Sequence, residues 1–335
     1  DGFRVDMADS LVKHDDANKS GTVAVWQDIL GDIHAEYPES AFVSEWGKAE
    51  QSIKAGFDMD FYLDWMGNGY NSLVRDYEAH LNAFASLPES LDDSTENNSF
   101  FKADSKGTCD HFIDEYMGRY EQIKDKGAIA LITGNHDTTR ISYGLSEDEL
   151  KLAYAFFLTM PGNPFIYYGD EIAMKFRSMA SKEGGFTRTG SRTPMQWNDS
   201  PNGGFSEHTP WLGVNPNYKL INTESQMNDD CSVFRFYQNL IALRKKHPVM
   251  AHGDFKLCCP EDGPVIAYTR SYQDETWLAV HNFSASMQKF HYGAEDIELP
   301  CNTPVIISNY GENEVEYGIG TLVLKPYETV VFQLH

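Results

Sequence analysis

Short apolar runs alternate with segments of helical periodicity through the first three quarters of this 335-residue chain. Alternation of this kind is typical of βα units, in which each strand joins a parallel sheet and the following helix covers it. Strands are predicted at residues 3–7, 41–44, 57–63, 128–133 and 164–168. Helices are predicted at residues 23–37, 71–84, 111–126, 147–160 and 234–246. Helix 147–160 should open on a capping box, because Ser146 precedes Glu149 by three residues.

The pattern changes at about residue 251, where short alternating strands replace the helices. These strands are predicted at residues 265–269, 276–281, 305–307 and 329–333, with Gly, Asp, Asn and Pro in the turns between them. Little helical periodicity remains, which indicates a small antiparallel β domain. We therefore predict an α/β part over residues 1–250 and a C-terminal β-sandwich domain over residues 251–335.

Charge and cysteine content restrict the partners and the compartment. The formal net charge is −23, which disfavours nucleic acid and anionic membranes as partners because phosphate contacts need clustered Lys and Arg. No apolar run approaches the roughly 18 residues of a membrane span. The five cysteines are odd in number and form no C-x-x-C pair, so neither a disulfide framework nor a zinc site is indicated. Reduced cysteines favour a cytoplasmic location.

Functional side chains of parallel α/β folds gather where the strands end. The predicted strand ends carry several charged residues: Arg4, Asp6, Glu45, His136, Asp137, Asp170 and Glu171. Because side chains alternate across a strand, Arg4 and Asp6 should point the same way, and the guanidinium should keep the pKa of Asp6 alone low. Glycoside cleavage needs such a set, with one carboxylate to attack the anomeric carbon and one carboxylic acid to protonate the leaving oxygen.

Four strings carry these residues in order: DGFRVD at 1–6, FVSEWG at 42–47, NHD at 135–137 and GNPFIYYGDE at 162–171. Together they resemble the α-amylase family of glycoside hydrolases, family 13, over about residues 1–250. The resemblance implies an α/β fold class: the C-terminal part of a (β/α)₈ TIM barrel, about strands 4 to 8, followed by a small antiparallel all-β domain. A closed barrel needs eight strands. The missing N-terminal half of the barrel is therefore an expected partner, and the isolated chain is expected to be inactive.

The resemblance also implies roles for individual residues. Asp6 would be the nucleophile and Glu45 the acid and base, while Asp137 would bind sugar hydroxyls with His136 beside it. Arg4 would orient Asp6, and we place Arg140 and Trp46 among the substrate-binding residues. These seven residues are the predicted site: Arg4, Asp6, Glu45, Trp46, His136, Asp137 and Arg140. An alternative is that Glu45 and Asp137 only cap helices after their strands.

A long segment poor in periodicity contains SRTPMQW at residues 191–197. It resembles the exo-acting branch of the family, which includes α-glucosidases, oligo-1,6-glucosidases, sucrose isomerases and trehalose synthases. Such a loop would enclose the site as a pocket for a chain end, although a plain surface loop remains the alternative. Met7 follows the nucleophile where enzymes that favour α-1,6 bonds tend to have Val, so the linkage preference stays open.

Neither a metal nor a cofactor is predicted. Asp9-Ser10 stands where many calcium-dependent amylases have Lys-His, so their usual calcium ligand is absent. The string DANKSG at residues 16–21 imitates the start of a calcium loop, but its twelfth position is Gln27 rather than a bidentate Glu. A solvated loop before a helix is the preferred interpretation of this string.

Three functional hypotheses follow. The first is a retaining α-glucoside hydrolase that acts on short α-glucans or oligosaccharides through a covalent glycosyl-enzyme. The second is a glucosyltransferase or isomerase that uses the same intermediate, with a sugar in place of water. The third is a non-catalytic member of the family. The complete set of charged residues argues against this last hypothesis.

Overall fold

The fold was analysed in a computed structural model that describes residues 2–64, 68–75, 99–102, 109–177, 187–258, 263–295, 297–311 and 315–335. The chain divides into two compact units. Unit 1 comprises Asp1–Leu73, Thr108–Ile132 and Gly162–Phe165. Unit 2 comprises Val74–Gly107, Thr133–Pro161 and Ile166–His335.

Unit 1 contains a five-stranded parallel sheet in the order β1-β2-β3-β4-β5. Its strands are β1 Gly2–Val5, β2 Ala41–Ser44, β3 Met59–Phe61, β4 Ala128–Ile132 and β5 Asn163–Phe165. All five predicted strands are confirmed, and several are shorter than predicted. As expected, β1 and β5 are the edges of the sheet within the described residues. Phe3 on β1 is 70% exposed, which reflects its edge position.

Helices accompany the strands of unit 1. They are α1 Ser20–Glu36, α2 Ala49–Lys54, α3 Gly69–Val74 and α4 Asp110–Ile123. Of the predicted helix at 71–84, residues 71–74 lie in α3 and 76–84 lie outside the described residues. Leu30 of α1 packs with Phe42 of β2 in one buried cluster, so an apolar face of the helix covers the sheet.

The turn before α1 shows what the DANKSG string does. Asp15 accepts hydrogen bonds from the backbone N–H groups of Gly21 (3.0 Å) and Thr22 (2.7 Å). Asp16 accepts from the N–H groups of Asn18 (2.8 Å) and Ser20 (3.2 Å). These carboxylates satisfy N–H groups at and before the start of the helix that have no partner within it, as the loop interpretation predicted.

Asp15 should make the stability of the protein depend on acid. The hydrogen bond from the Thr22 backbone is the largest cause that lowers the pKa of Asp15 to about 2. A depressed pKa adds stability above the unfolded value near 4, and this stability is lost as the pH falls towards 2. We expect Asp15→Asn to lose less stability than the wild type between pH 5 and pH 3, measured by urea unfolding. Asp28→Asn, at an exposed position of α1, is the control. If the unfolding free energy of Asp15→Asn fell with pH as steeply as that of the wild type, the assignment would be contradicted.

Unit 2 contains the remaining helices and two antiparallel sheets. The helices are α5 Glu147–Thr159, α6 Thr223–Met227, α7 Val233–Lys246 and α8 Pro248–His252. The capping box of Ser146 and Glu149 is confirmed. The strands are β6 Asp254–Cys258, β7 Val265–Tyr272, β8 Glu275–Asn282, β9 Gln288–Phe290, β10 Val305–Ser308, β11 Glu316–Gly318, β12 Thr321–Leu324 and β13 Thr329–Gln333. The sheets have the orders β10-β13-β8-β7-β6 and β11-β12-β9.

The four strands predicted after residue 251 are confirmed as β7, β8, β10 and β13. Strands β6, β9, β11 and β12 were not predicted, and two of them, β9 and β11, have only three residues each. A buried hydrogen bond joins helix α5 to strand β7, where the hydroxyl groups of Thr159 and Tyr268 lie 2.6 Å apart. The domain division at residue 250 stays a prediction.

Helix hydrophobicity and the state of the cysteines complete the description of the fold. Among the residues that the structure describes, no helix combines the length and the apolar character that a membrane crossing requires. Four cysteines are free thiols, of which Cys109 and Cys258 are buried and Cys231 and Cys301 are exposed. The fifth, Cys259, lies outside the described residues.

Candidate active site

One guanidinium group holds the two predicted catalytic carboxyl groups. Strands β1 and β2 are parallel neighbours, with Val5 opposite Ser44. The C-terminal ends of the two strands therefore lie side by side. Arg4 Nη1 lies 2.5 Å from Asp6 Oδ1, and Arg4 Nη2 lies 2.8 Å from Glu45 Oε2. The two carboxyl groups are therefore separated by no more than the width of a guanidinium and two hydrogen bonds.

The double contact corrects one expectation. The spacing of Arg4 and Asp6 predicted a partnership between those two residues alone, but Arg4 also pairs with Glu45. Sequence reasoning missed this contact because it depends on the register between β1 and β2. The two carboxyl groups differ instead in exposure, since the side chain of Asp6 is 71% exposed and that of Glu45 is 18% exposed. Asp6 is thus open to an incoming ligand, and Glu45 is largely shielded.

A second donor reaches the same carboxyl oxygen of Glu45 that Arg4 contacts. The backbone N–H of Met7 donates to Glu45 Oε2 at 3.1 Å. Met7 itself has a φ of 43°, a left-handed conformation that is uncommon for a residue with a side chain. Strain of this kind concentrates at functional sites, and here it places the Met7 amide against the carboxyl group of Glu45.

Trp46 lies beside Glu45 in the chain, but its ring lies in the core. The residue is only 2% exposed, its indole N–H donates to Gln51, and its ring lies edge-on to Phe57. A buried ring has no free face on which a sugar could stack. The prediction that Trp46 contacts substrate is therefore not supported by its placement, and the ring instead anchors the segment that carries Glu45.

In unit 2, Asp137 lies beside one arginine and one histidine side chain. Arg192 Nη2 donates to Asp137 Oδ1 at 2.8 Å, and His136 Nε2 lies 3.4 Å from Asp137 Oδ2. Arg192 Nε also donates to the backbone carbonyl of His136 at 2.8 Å. Charge-assisted bonds of this kind fix the orientation of a carboxylate. Arg192 was missed as a site residue, although it is the arginine of the SRTPMQW string.

The SRTPMQW segment contacts the chain that follows Asp137. The hydroxyl of Ser191 donates to the carbonyl of Thr138, and Arg140 donates to the carbonyl of Ser191 at 3.0 Å. The hydroxyl of Tyr168 donates to the carbonyl of Thr193 at 2.7 Å. A plain surface loop would not make these buried bonds. These hydrogen bonds instead hold the segment against the residues that directly follow Asp137.

Arg140 is a buried structural residue rather than a surface for substrate. Its side chain has no exposed area, and neither has that of Asp170, its ion-pair partner at 3.2 Å. Arg140 also donates to the carbonyl of Tyr168 at 2.6 Å and lies over the rings of Tyr167 and Tyr168. The placement does not support the predicted contact between Arg140 and a sugar, because every face of the guanidinium is covered.

Breaking the Arg140–Asp170 pair should strongly destabilise unit 2. Burial raises the pKa of Asp170, and the guanidinium of Arg140 opposes that shift. Removal of Arg140 would leave a buried carboxylate without its partner, which costs about 3–5 kcal/mol in other proteins. We expect Arg140→Met to lower the free energy of unfolding by about that amount in urea titrations. Lys124→Met, which removes an exposed i,i+3 pair with Glu121, should change it little. Equal effects of the two variants would contradict the assignment.

The alternative that Glu45 and Asp137 cap helices is not supported. The residue at the N-terminal cap of α2 is Lys48, and that of α5 is Ser146. Glu45 and Asp137 instead pair with arginine side chains. Within the described ranges, no group of three or more His, Cys, Asp or Glu side chains is arranged to hold a metal ion, and the absence of a metal stays a prediction.

Comparison with known families accounts for most of the chain. The family "Alpha amylase, catalytic domain" matches residues 1–253. The family "Alpha-amylase SusG C-terminal domain" matches residues 265–331. The chain therefore belongs to the α-amylase family of glycosidases, as the four strings predicted.

Curated relatives point to one branch of that family. The chain is 34% identical to an oligo-1,6-glucosidase of Halalkalibacterium halodurans, over 64% of this chain and 44% of that protein. It is 30% identical to the probable oligo-1,6-glucosidase 3 of Bacillus subtilis, over 99% of this chain and 65% of that protein. The chain thus spans about half to two thirds of the length of these relatives.

Solved structures establish the architecture. The Bacillus licheniformis trehalose-6-phosphate hydrolase superposes with a TM-score of 0.75 at 22% identity, over 99% of this chain and 65% of that one. The isomaltulose synthase of Klebsiella sp. LX3 gives a TM-score of 0.75 at 21% identity, over 100% and 65% of the two chains. The parallel sheet is therefore part of a (β/α)₈ barrel, followed by an antiparallel all-β region, as predicted.

Proposed function

We propose that the protein is a retaining α-glucoside hydrolase that acts on short α-glucans or oligosaccharides. The observation that carries the proposal is the contact of Arg4 with both Asp6 and Glu45. Retaining glycosidases need two neighbouring carboxyl groups on either side of the reacting bond, and the shared guanidinium brings the carboxyl groups of Asp6 and Glu45 next to each other. Membership of the α-amylase family and the identity to oligo-1,6-glucosidases support the same class of reaction.

The proposed reaction has two displacement steps. In the first, a carboxylate oxygen of Asp6 bonds to the anomeric carbon as the glycosidic bond breaks, and Glu45 gives its proton to the departing oxygen. In the second, Glu45 takes a proton from water, which bonds to the anomeric carbon and releases Asp6. Two inversions give net retention of the α configuration. Arg4 stabilises the carboxylate that each step regenerates.

Asp137 is proposed to bind the 2- and 3-hydroxyl groups of the glucosyl unit. Its two carboxyl oxygens contact Arg192 and His136, and these contacts would hold it in one orientation. A carboxylate has about four acceptor sites on its two oxygens and can accept several hydrogen bonds at once, including bonds from sugar hydroxyls. Arg140 is proposed to act indirectly, through the SRTPMQW segment that carries Arg192, rather than by contact with substrate.

The stereochemistry of the first product tests the hydrolase proposal. The full-length protein would be incubated with p-nitrophenyl α-glucoside, whose leaving group is not a sugar, and the glucose first released would be followed by proton NMR. We expect the α-anomer to appear before mutarotation produces the β-anomer. Initial release of the β-anomer would contradict a mechanism with a covalent intermediate.

A transferase or isomerase would use the same residues with a sugar as the acceptor. Product analysis with maltose, isomaltose and sucrose separates the alternatives. Hydrolysis releases two glucose molecules per bond cleaved in maltose or isomaltose, and one glucose with one fructose per bond cleaved in sucrose, whereas new disaccharides indicate transfer or isomerisation. Absence of turnover of all three would favour a non-catalytic protein. We also propose a cytoplasmic location, because the described cysteines are free thiols.

A further inference from the structure

A buried carboxyl group accepts hydrogen bonds from the residues on either side of Glu45. Asp60 of β3 is opposite Ser44 in the sheet and is only 1% exposed. Its Oδ1 accepts a hydrogen bond from the Ser44 hydroxyl at 2.6 Å. The same oxygen accepts from the backbone N–H groups of Trp46 at 3.1 Å and Gly47 at 3.3 Å. The three donors flank Glu45 on both sides along the chain.

The side chain of Arg119 also holds the backbone that follows Glu45. Arg119 of α4 donates to the backbone carbonyl of Gly47 at 2.8 Å. Its guanidinium pairs with Glu115 and lies over the ring of Tyr62, 4.7 Å from the centroid, so it has little freedom to move. Gly47 has a φ of 76°, which glycine adopts without strain. The N–H groups after Glu45 are thus held by Asp60, and the next carbonyl is held by Arg119.

The arrangement is costly for a purely structural contact. Burial raises the pKa of Asp60 to about 7, and the bonds from Ser44, Gly47 and Trp46 only partly offset that burial. Buried carboxyl groups are rare unless they are paired or serve a site. The Asp60 carboxyl fixes the backbone on either side of Glu45. Arg4 and the Met7 amide fix the carboxyl group of Glu45 itself.

We propose that Asp60 is a positioning residue that holds Glu45 in the geometry required for proton transfer to the leaving group. The inference rests on the proposed role of Glu45 as the acid. It assigns to Asp60 no contact with substrate. Its effect would pass entirely through the amides of Trp46 and Gly47 and the hydroxyl of Ser44.

Substrates that differ in their leaving group test the proposal. Maltose needs a proton on its departing oxygen, whereas α-glucosyl fluoride carries a leaving group that departs with little help. In the full-length protein, Asp60→Ala should lower kcat/KM for maltose about 10–100-fold more than for the fluoride, because small displacements of a catalytic group have effects of this size. Asp60→Asn keeps an acceptor oxygen and should recover most of the maltose activity.

A control variant and a second variant of the same contact separate a positioning effect of Asp60 from a general loss of structure. Asp58→Ala removes a carboxyl that accepts from the Phe42 amide at the other end of β2, and it should show no dependence on the leaving group. If Asp60→Ala fails to fold, Ser44→Ala should show a smaller loss with the same dependence. Equal losses on both substrates in every folded variant would overturn the proposal for Asp60. Absence of leaving-group dependence in Glu45→Gln would instead overturn the proposed function of Glu45.

Discussion

Replacement of Asp6 by asparagine in the full-length protein is expected to reduce kcat by roughly 10⁴-fold or more on every glucosyl substrate. An amide oxygen is a far weaker nucleophile than a carboxylate, so the first displacement should fail whatever the leaving group. Asparagine preserves the shape of the side chain and can still accept a hydrogen bond from Arg4. The fold should therefore persist, which urea unfolding would check.

The control for this variant is Asp28→Asn, which makes the same chemical change at an exposed position of α1. It should retain wild-type rates with both maltose and α-glucosyl fluoride. A loss of less than 10-fold in Asp6→Asn would remove Asp6 from the role of nucleophile.

The second large effect is expected for Glu45→Gln, and it should depend on the substrate. Loss of a general acid typically costs 10²–10⁴-fold, and maltose should show this loss because its departing oxygen needs a proton. α-Glucosyl fluoride should still form the intermediate, which would then accumulate because no base activates water.

Azide provides the diagnostic readout for Glu45. It is an anionic nucleophile that needs no base, so it should restore turnover of the fluoride by Glu45→Gln. The product should be α-glucosyl azide, since the second displacement inverts the configuration again. The wild type should form little of this product. Equal losses on both substrates without an azide product would mean that Glu45 is not the acid and base.

Periodic segments were predicted well because local patterns determine them. The apolar run of β2 was placed at the observed residues, and the capping box of Ser146 and Glu149 begins α5 as predicted. Strand β3 is shorter than predicted, because its apolar residues continue beyond the point where β2 and β4 offer partners. Alternation shows which residues can be buried, but pairing decides where a strand ends.

The site was predicted as a set of residues and not as a set of contacts. Asp6, Glu45 and Asp137 lie at strand ends, where sequence reasoning placed them. The second partner of Arg4, the pairing of Asp137 with Arg192 and the support of Glu45 by Asp60 all join segments distant in the chain. Trp46 and Arg140 were selected by their position next to site residues, yet both side chains are buried, which sequence position alone does not reveal.

The most direct test of the central claim is the identification of the residue that carries the covalent sugar. The full-length protein would be inactivated with 5-fluoro-α-glucosyl fluoride, digested with pepsin and analysed by mass spectrometry. We expect one added fluoroglucosyl group on the peptide that contains DGFRVD, attached at Asp6, and no label in Asp6→Asn. Attachment at Glu45, or rapid turnover of a known retaining-enzyme reagent without any labelled peptide, would contradict the assignment of Asp6 as the nucleophile.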